Sequence, residues 1–129
     1  MRLMKADINT YRTVTPYLVV QDADAEIKFL KSAFSASETV CERNPDKSVM
    51  HAELQIGNSL VMLGQASEVV KATKASLYLW IPDVDATYEK ALQAGAVSQS
   101  APEDKPYGHR NAGIVDVNGI TWWIGSPVA

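Results

Sequence analysis

The sequence is poor in the residues that build disulfide frameworks and metal clusters. Among its 129 residues it has one cysteine, Cys41, and two histidines, His51 and His109. A single cysteine excludes an internal disulfide and a cysteine cluster for zinc. As a nucleophile, Cys41 would need a basic neighbour that favours its thiolate. The other interpretation of Cys41 is a thiol without a chemical role.

Long apolar runs and an excess of positive charge are also missing. The first eleven residues mix Arg2, Lys5 and Asp7 with apolar side chains, so they lack the continuous apolar segment of a signal peptide. No apolar run approaches the roughly 20 residues that a membrane-spanning helix needs. The formal net charge of −3 argues against nucleic acid or an anionic membrane as the main partner. We therefore expect a cytoplasmic protein.

What is present fits one globular domain with an internal repeat. The chain aligns with itself when it is shifted by 61 residues. A constant offset over both halves indicates two copies of one structural unit. We expect a first module over about 13–64, a polar linker over about 65–74 and a second module over about 75–126. The matched pairs are Tyr17-Leu18 with Tyr78-Leu79, Asp22 with Asp83, Asp24-Ala25 with Asp85-Ala86, Ala33 with Ala94, Ser37 with Ser98, and Gly64 with Gly125.

Each half predicts a strand, a helix and three more strands. The leading strands are β-branched, aromatic and apolar, and each helix begins after an aspartate that can cap its first turn. Gly95 is predicted to end the second helix. Asn118-Gly119 predicts a two-residue hairpin loop, and residues 102–110 are predicted to form a longer loop. The predicted helices cover 23–33 and 84–94, and the predicted strands cover 14–20, 37–43, 49–56, 59–63, 75–81, 97–100, 113–117 and 120–124.

Alternation along the strands assigns side chains to two faces. The set expected to pack on the helices is Met50, Ala52, Leu54, Ile56, Leu77, Leu79, Ile81, Trp122 and Ile124. The opposite set includes His51, Glu53, Gln55, Tyr17, Tyr78, Trp80 and Trp123. Many aromatic rings beside a few polar groups are typical of a small-molecule site. The alternative is that these rings only seal the two modules together.

Several segments resemble a known family. They are Thr15-Pro16-Tyr17-Leu18-Val19-Val20, His51-Ala52-Glu53-Leu54, Tyr107-Gly108-His109-Arg110 and Trp122-Trp123-Ile124, together with the two Asp-led helix starts and the closing Asn-Gly turn. They resemble the glyoxalase/bleomycin-resistance/dioxygenase (vicinal-oxygen-chelate) superfamily and, within it, the PhnB-like glyoxalase branch. The resemblance implies an α+β fold in which two tandem β-α-β-β-β modules form a cupped mixed sheet around a cavity, often as a homodimer.

The resemblance also implies where a metal would be held. Metal-using members place His, Gln or Glu on the first and last strands of each module. The matching positions of this chain hold Thr15, Met62, Ser76 and Trp123. None of them is a good ligand for a divalent first-row metal. We therefore expect no family-type metal site and no cofactor, with an improvised site of His51, His109 and Glu53 as the alternative.

Three functions stay open. The first is metal-independent binding of a small organic molecule that is planar or partly anionic, in a cup closed by a second copy of the chain. The second is a glyoxalase-like lyase, isomerase or dioxygenase with Glu53 or His51 as base, and the third is a role in assembly alone. Arg110 could bind a carboxylate or phosphate, pair with Glu103 or Asp104, or lie at the surface. The expected ligand-binding residues are Tyr17, Tyr78, Trp80, Tyr107, His109, Arg110 and Trp123.

Overall fold

The computed structural model describes residues 11–128. Residues 1–10, which with Tyr11 carry the prediction that the chain has no signal peptide, lie outside the described residues. The chain forms two modules of the same β-α-β-β-β order, which confirms the expected α+β fold. The first module comprises β1 Tyr17–Val20, α1 Ala23–Phe34, β2 Ser37–Arg43, β3 Val49–Ile56 and β4 Ser59–Gln65. The second comprises β5 Ser76–Trp80, α2 Val84–Gln93, β6 Val97–Asp104, β7 His109–Val115 and β8 Thr121–Pro127.

Each module carries one four-stranded mixed sheet. The strand orders are β1-β4-β3-β2 and β5-β8-β7-β6, and they match strand for strand. The first strand of each module pairs in parallel with the last, whereas the other pairs are antiparallel. The mixed pattern follows from the helix, which returns the chain to the opposite end of the sheet before the next strand begins.

The helix starts follow from the two capping aspartates. Asp22 Oδ1 accepts a hydrogen bond from the Ala25 N–H at 3.0 Å, and Asp83 Oδ1 accepts one from the Ala86 N–H at 3.1 Å. Both bonds satisfy an amide that has no partner inside the helix. Gly95 has a φ of +111°, so the predicted end of α2 is confirmed.

The prediction of a two-residue loop at Asn118-Gly119 is wrong. The Asp116 N–H donates to the Ile120 carbonyl at 2.8 Å, and the Gly119 N–H donates to the Asp116 carbonyl at 3.0 Å. These bonds close a three-residue loop in which Gly119 adopts the left-handed conformation. In the first module Ile56 pairs with Ser59 across two residues. The longer second loop means that β3 matches β7 at an offset of 60 residues, whereas β4 matches β8 at 61.

Strand alternation fails at the start of β3. Met50 was expected in the core but is 49% exposed, and Val49 is fully buried instead. The pairing of β2 with β3 shifts register between Glu42 and Arg43, as a β-bulge requires. A bulge places two residues of one strand opposite one of its partner, so it reverses the alternation beyond that point.

The predicted loop over 102–110 is mostly strand. β6 continues to Asp104 and β7 begins at His109, with the Lys105 N–H donating to the His109 carbonyl at 2.7 Å. Pro102 is compatible with this because β6 is the edge strand of its sheet, where a missing N–H leaves no ladder bond unmade. No helix among residues 11–128 is long and apolar enough to cross a membrane.

The two modules meet on their helix sides. Helices α1 and α2 pack against each other, and the Phe34 ring of α1 lies 5.1 Å from the buried Trp122 ring of β8. Asn118 in the β7–β8 turn accepts from the Asp22 N–H at 3.0 Å. Its amide group donates to the Asp22 carbonyl at 2.8 Å and to Glu26 Oε1 at 2.9 Å. This turn therefore fastens the second module to α1.

We predict that Asn118→Ala lowers the free energy of unfolding by about 2 kcal/mol, because it leaves the Asp22 amide and the Glu26 carboxyl without their partner. Urea denaturation measures the change. Asn58→Ala is the matched control in the corresponding turn of the first module, where the Asn58 side chain accepts from the neighbouring Ser59 hydroxyl and makes no side-chain hydrogen bond to the second module among the described residues. Equal losses for the two variants would contradict the role assigned to Asn118.

Candidate functional site

The first sheet carries a hydrogen-bonded polar cluster formed by Tyr11, Tyr17, His51 and Glu53. The Tyr11 hydroxyl donates to Glu53 Oε1 at 2.8 Å, and His51 Nε2 lies 2.7 Å from Glu53 Oε2. On its other side, His51 Nδ1 lies 3.3 Å from the Tyr17 hydroxyl, and the two rings stack at 5.6 Å. His51 and Glu53 are two residues apart on β3, so they point to the same face, as the sequence predicts.

The polar cluster places its carboxylate behind its imidazole. Glu53 is only 2% exposed, whereas a fifth of the His51 side chain reaches solvent (21%). The hydrogen bond to Glu53 raises the pKa of Tyr11, and burial and the carboxylate charge act in the same direction. Burial also raises the pKa of Tyr17. Both phenols therefore remain protonated at neutral pH, and a solute can reach His51 and the 47% exposed Tyr17 but not Glu53.

The second sheet carries an aromatic cluster formed by Tyr78, Trp80, Tyr107 and His109. The rings of Tyr78 and Trp80 lie 4.6 Å apart, and His109 meets Trp80 edge-on at 4.8 Å and Tyr107 edge-on at 5.3 Å. Despite these contacts, Trp80 is 59% exposed and Tyr107 is 62% exposed. The cluster is thus a continuous aromatic surface that the described residues leave uncovered.

Two glycines let rings lie flat on the second sheet. A Cβ added to Gly113 would lie 2.6 Å from the Trp123 ring, and one added to Gly125 would lie 2.7 Å from the Tyr78 ring. Both gaps are far shorter than a van der Waals contact, so any larger residue would push the rings away. The Trp123 indole also donates to the Ser76 hydroxyl at 3.0 Å, which fixes its orientation.

The polar and aromatic clusters do not form the single face that the sequence predicts. They lie on two sheets that share no strand pairing. Within the described part of the chain, no hydrogen bond, ion pair or ring contact connects a member of one cluster to a member of the other. Apart from the start of β3, alternation assigned the side chains of these clusters to the correct face of their strands, but the placement of one module against the other depends on the helix-side contacts.

Arg110 points to the helix side of the second sheet, away from the aromatic cluster. Its Nε and Nη2 donate to the two Asp85 oxygens at 2.9 and 3.1 Å, and its Nη1 donates to Asp104 at 3.0 Å. These bonds raise the pKa of Arg110 and lower that of Asp85. Of the alternatives stated for Arg110, pairing with Asp104 is the one observed. The guanidinium group is therefore bound to two carboxylates of this chain.

The residues at the four family ligand positions do not suit a divalent metal. The Ser76 hydroxyl already accepts from the Trp123 indole, which has no acceptor atom of its own. Met62 pairs with Tyr17 and offers a thioether. In the range 11–128, no group of three His, Cys, Asp or Glu residues is close enough to hold a metal ion. His51 and His109 lie in different clusters, so the improvised site with Glu53 is not assembled.

A cavity of about 790 Å³ opens between the modules beside the aromatic cluster. Tyr78 and Trp80 line it, and Phe34, Leu77 and Leu79 add an apolar wall. The resemblance implied a cavity and the sequence placed Tyr78 and Trp80 in it, but the sequence carried no signal for the wall formed by α1 and β5, because their proximity is a tertiary feature. It also gave none for Tyr11, which precedes the first strand and follows no alternation pattern.

The comparisons with known proteins decide the family. The sequence model of the family described as Glyoxalase/Bleomycin resistance protein/Dioxygenase superfamily matches residues 11–124 of this chain. This chain belongs to that superfamily. An uncharacterized protein of Mycobacterium bovis is 34% identical over 94% of this chain and 87% of its own length. An uncharacterized protein of Mycobacterium tuberculosis shows the same identity, with 78% of its length covered.

Solved structures of the superfamily share the fold. TioX from Micromonospora sp. ML1 superposes with a TM-score of 0.72 at 24% identity, covering 92% of this chain and 98% of that one. A glyoxalase-related enzyme from Fulvimarina pelagi gives 0.70 at 18% identity, covering 90% of this chain and 88% of that one. These likenesses confirm the expected architecture of two β-α-β-β-β modules.

Proposed function

We propose that this superfamily member is a cytoplasmic protein that binds a planar organic molecule on its aromatic cluster without a metal. The observation that carries the proposal is a row of four rings, each in contact with the next, in which Trp80 stays 59% exposed. Small-molecule sites are usually clefts lined by apolar and aromatic side chains, and exposed apolar patches often mark interaction sites. A planar ligand stacked on Trp80 would remove the ring from water and gain dispersion contacts.

The surroundings of the cluster define the ligand further. With Arg110 held by Asp85 and Asp104, the arginine fork is not available to orient an anionic group. The polar groups at the cluster are the His109 ring, the Trp80 indole N–H, the Tyr78 hydroxyl and the Tyr107 hydroxyl, the last of which accepts from Asn111 Nδ2 at 2.9 Å. We therefore propose a largely apolar heteroaromatic ligand with one or two hydrogen-bonding atoms. The PhnB-like assignment within the superfamily remains part of this proposal, supported by the resembling segments.

Trp80→Ala tests the binding surface. Because Trp80 is mostly exposed, we predict a nearly unchanged melting temperature. Planar heteroaromatic compounds that bind the native protein are first identified in a thermal-shift screen in EDTA. We predict that the tryptophan fluorescence response to these compounds is lost in Trp80→Ala. Trp122→Ala is the contrasting variant: its ring is fully buried, so truncation should cost roughly 3–5 kcal/mol. Unchanged affinity in Trp80→Ala, or a screen that finds binding only after a divalent metal replaces the EDTA, would refute the proposal.

A second candidate function rests on the His51–Glu53 pair. A carboxylate bound to one imidazole nitrogen holds the ring in place and leaves the other nitrogen to act on a substrate, as in many general bases. Since Glu53 is buried behind it, the accessible base of such an enzyme would be His51. The reaction class is proton abstraction next to a carbonyl, the chemistry of a metal-free isomerase.

Deuterium uptake tests this candidate. If the protein is such an isomerase, it will catalyse C–H exchange in D2O for some members of a panel of small α-hydroxy aldehydes and ketones, followed by proton NMR. His51→Ala should abolish the exchange, because it removes the base, whereas His109→Ala on the other sheet should retain it. No exchange above the buffer rate for any compound would eliminate the candidate.

We also propose that the protein is a homodimer. Tyr17 and Met50 on the first module, and Val97 on the second, are large apolar side chains that the single chain leaves about half exposed or more. Both sheets also end in edge strands, which a second copy would cover. Light scattering at micromolar concentration should give about twice the 14.1 kDa of one chain. A mass of one chain would contradict the dimer without affecting the Trp80 test.

A further inference from the structure

A pair of carboxyl groups is buried at the junction of the two modules. Glu26 lies on the inner side of α1 and is fully buried, and Asp116 lies at the start of the β7–β8 turn and is 6% exposed. Neither residue belongs to the polar or the aromatic cluster. Two ionised carboxylates in contact without a cation would be strongly unfavourable in such a place.

The hydrogen bonds indicate which of the two carries a proton. Asp116 uses both oxygens as acceptors: Oδ1 from the Asn118 and Ile120 N–H groups at 2.9 and 3.0 Å, and Oδ2 from the Trp122 indole at 2.8 Å. Glu26 Oε1 accepts from Asn118, but Glu26 Oε2 is a buried oxygen without a donor. A proton on Glu26 Oε2 removes this deficit, because the resulting hydroxyl can donate to Asp116.

The electrostatic surroundings favour the same protonation state. Burial raises the pKa of Glu26 to about 9, the hydrogen bond and charge of Asp116 act in the same direction, and the bond from Asn118 opposes them. Among the described residues, Asp116 is the titratable group that acts on Glu26 from the second module. Asp22, at the start of α1, turns its side chain to the Ala25 N–H instead. Helix α2, which packs on α1, contributes no charge that shifts Glu26.

We propose that Glu26 is a neutral acid at physiological pH, that it donates its proton to Asp116, and that this shared proton makes the junction between the modules sensitive to alkali. Loss of the proton would place two negative charges together in the interface formed by α1 and the β7–β8 turn. The junction also includes the contact of Phe34 with Trp122, so repulsion there would loosen the attachment of one module to the other.

The direction of the pH dependence follows from linkage. The carboxyl of Glu26 releases its proton near pH 4.5 in the unfolded chain and only near pH 9 in the folded protein. Its contribution to stability is therefore complete below about pH 4.5 and declines as the pH rises towards 9. A neutral side chain of the same shape does not lose this contribution.

Glu26→Gln provides the test, because the glutamine amide can donate to Asp116 at every pH and its carbonyl can still accept from Asn118. Melting temperatures of the full chain are measured between pH 5.5 and pH 9 at constant ionic strength. We expect the difference in melting temperature between the variant and the native protein to rise in favour of the variant by at least about 5 °C between pH 5.5 and pH 9. Glu89→Gln changes an exposed residue on α2, and its melting temperature should follow the same pH dependence as that of the native protein.

Parallel curves for Glu26→Gln and the native protein would overturn the proposal, as would a variant less stable than the native protein at pH 9. A second measurement needs no variant to be stable. In native protein labelled with ¹³C-glutamate, the Glu26 carboxyl resonance should keep its neutral position at pH 7 and move only near pH 9. A carboxylate position at pH 7 would show that Glu26 is ionised in the folded state.

Discussion

The attachment of the β7–β8 turn to α1 is the contact on which the rest of the structure depends. The two sheets share no strand pairing, so their relative placement rests on helix packing and on the bonds that Asn118 makes to Asp22 and Glu26. The two bonds to Asp22 are exposed, but Glu26 is fully buried, so loss of its donor costs the desolvation of the carboxyl left behind. The same contact turns the helix sides of both modules inward and leaves the outer sheet faces uncovered.

The two uncovered faces differ although the modules repeat. Glu53 on the first sheet corresponds to Gly113 on the second, since both stand opposite the matched residues Met62 and Trp123. A carboxylate at this place builds a polar cluster with His51 and Tyr11, whereas a glycine there makes room for the Trp123 ring. The differences at these matched positions, Glu53 against Gly113 and Met62 against Trp123, therefore separate a polar face from an aromatic one within a duplicated framework.

Local pattern predicts much of this structure. The capping aspartates and apolar stripes place both helices within one residue at each end, and alternation assigns Trp80 and Glu53 to the correct face of their strands. It fails where distant pairing decides, as in the bulge that exposes Met50. It also could not anticipate that His51 and His109 lie in separate clusters, because the chain order of two modules does not reveal how they pack.

The central claim, that planar molecules stack on Trp80 without a metal, is tested most directly by the indole N–H signals of the three tryptophans in ¹⁵N-labelled protein. Trp122 donates to buried Asp116 and Trp123 to Ser76, so each signal reports a different environment. Titration with a planar heteroaromatic compound in EDTA should shift the Trp80 signal strongly and leave that of Trp122 unchanged. A saturable shift of Trp122 with no response from Trp80, or a response that requires added metal, would contradict the account.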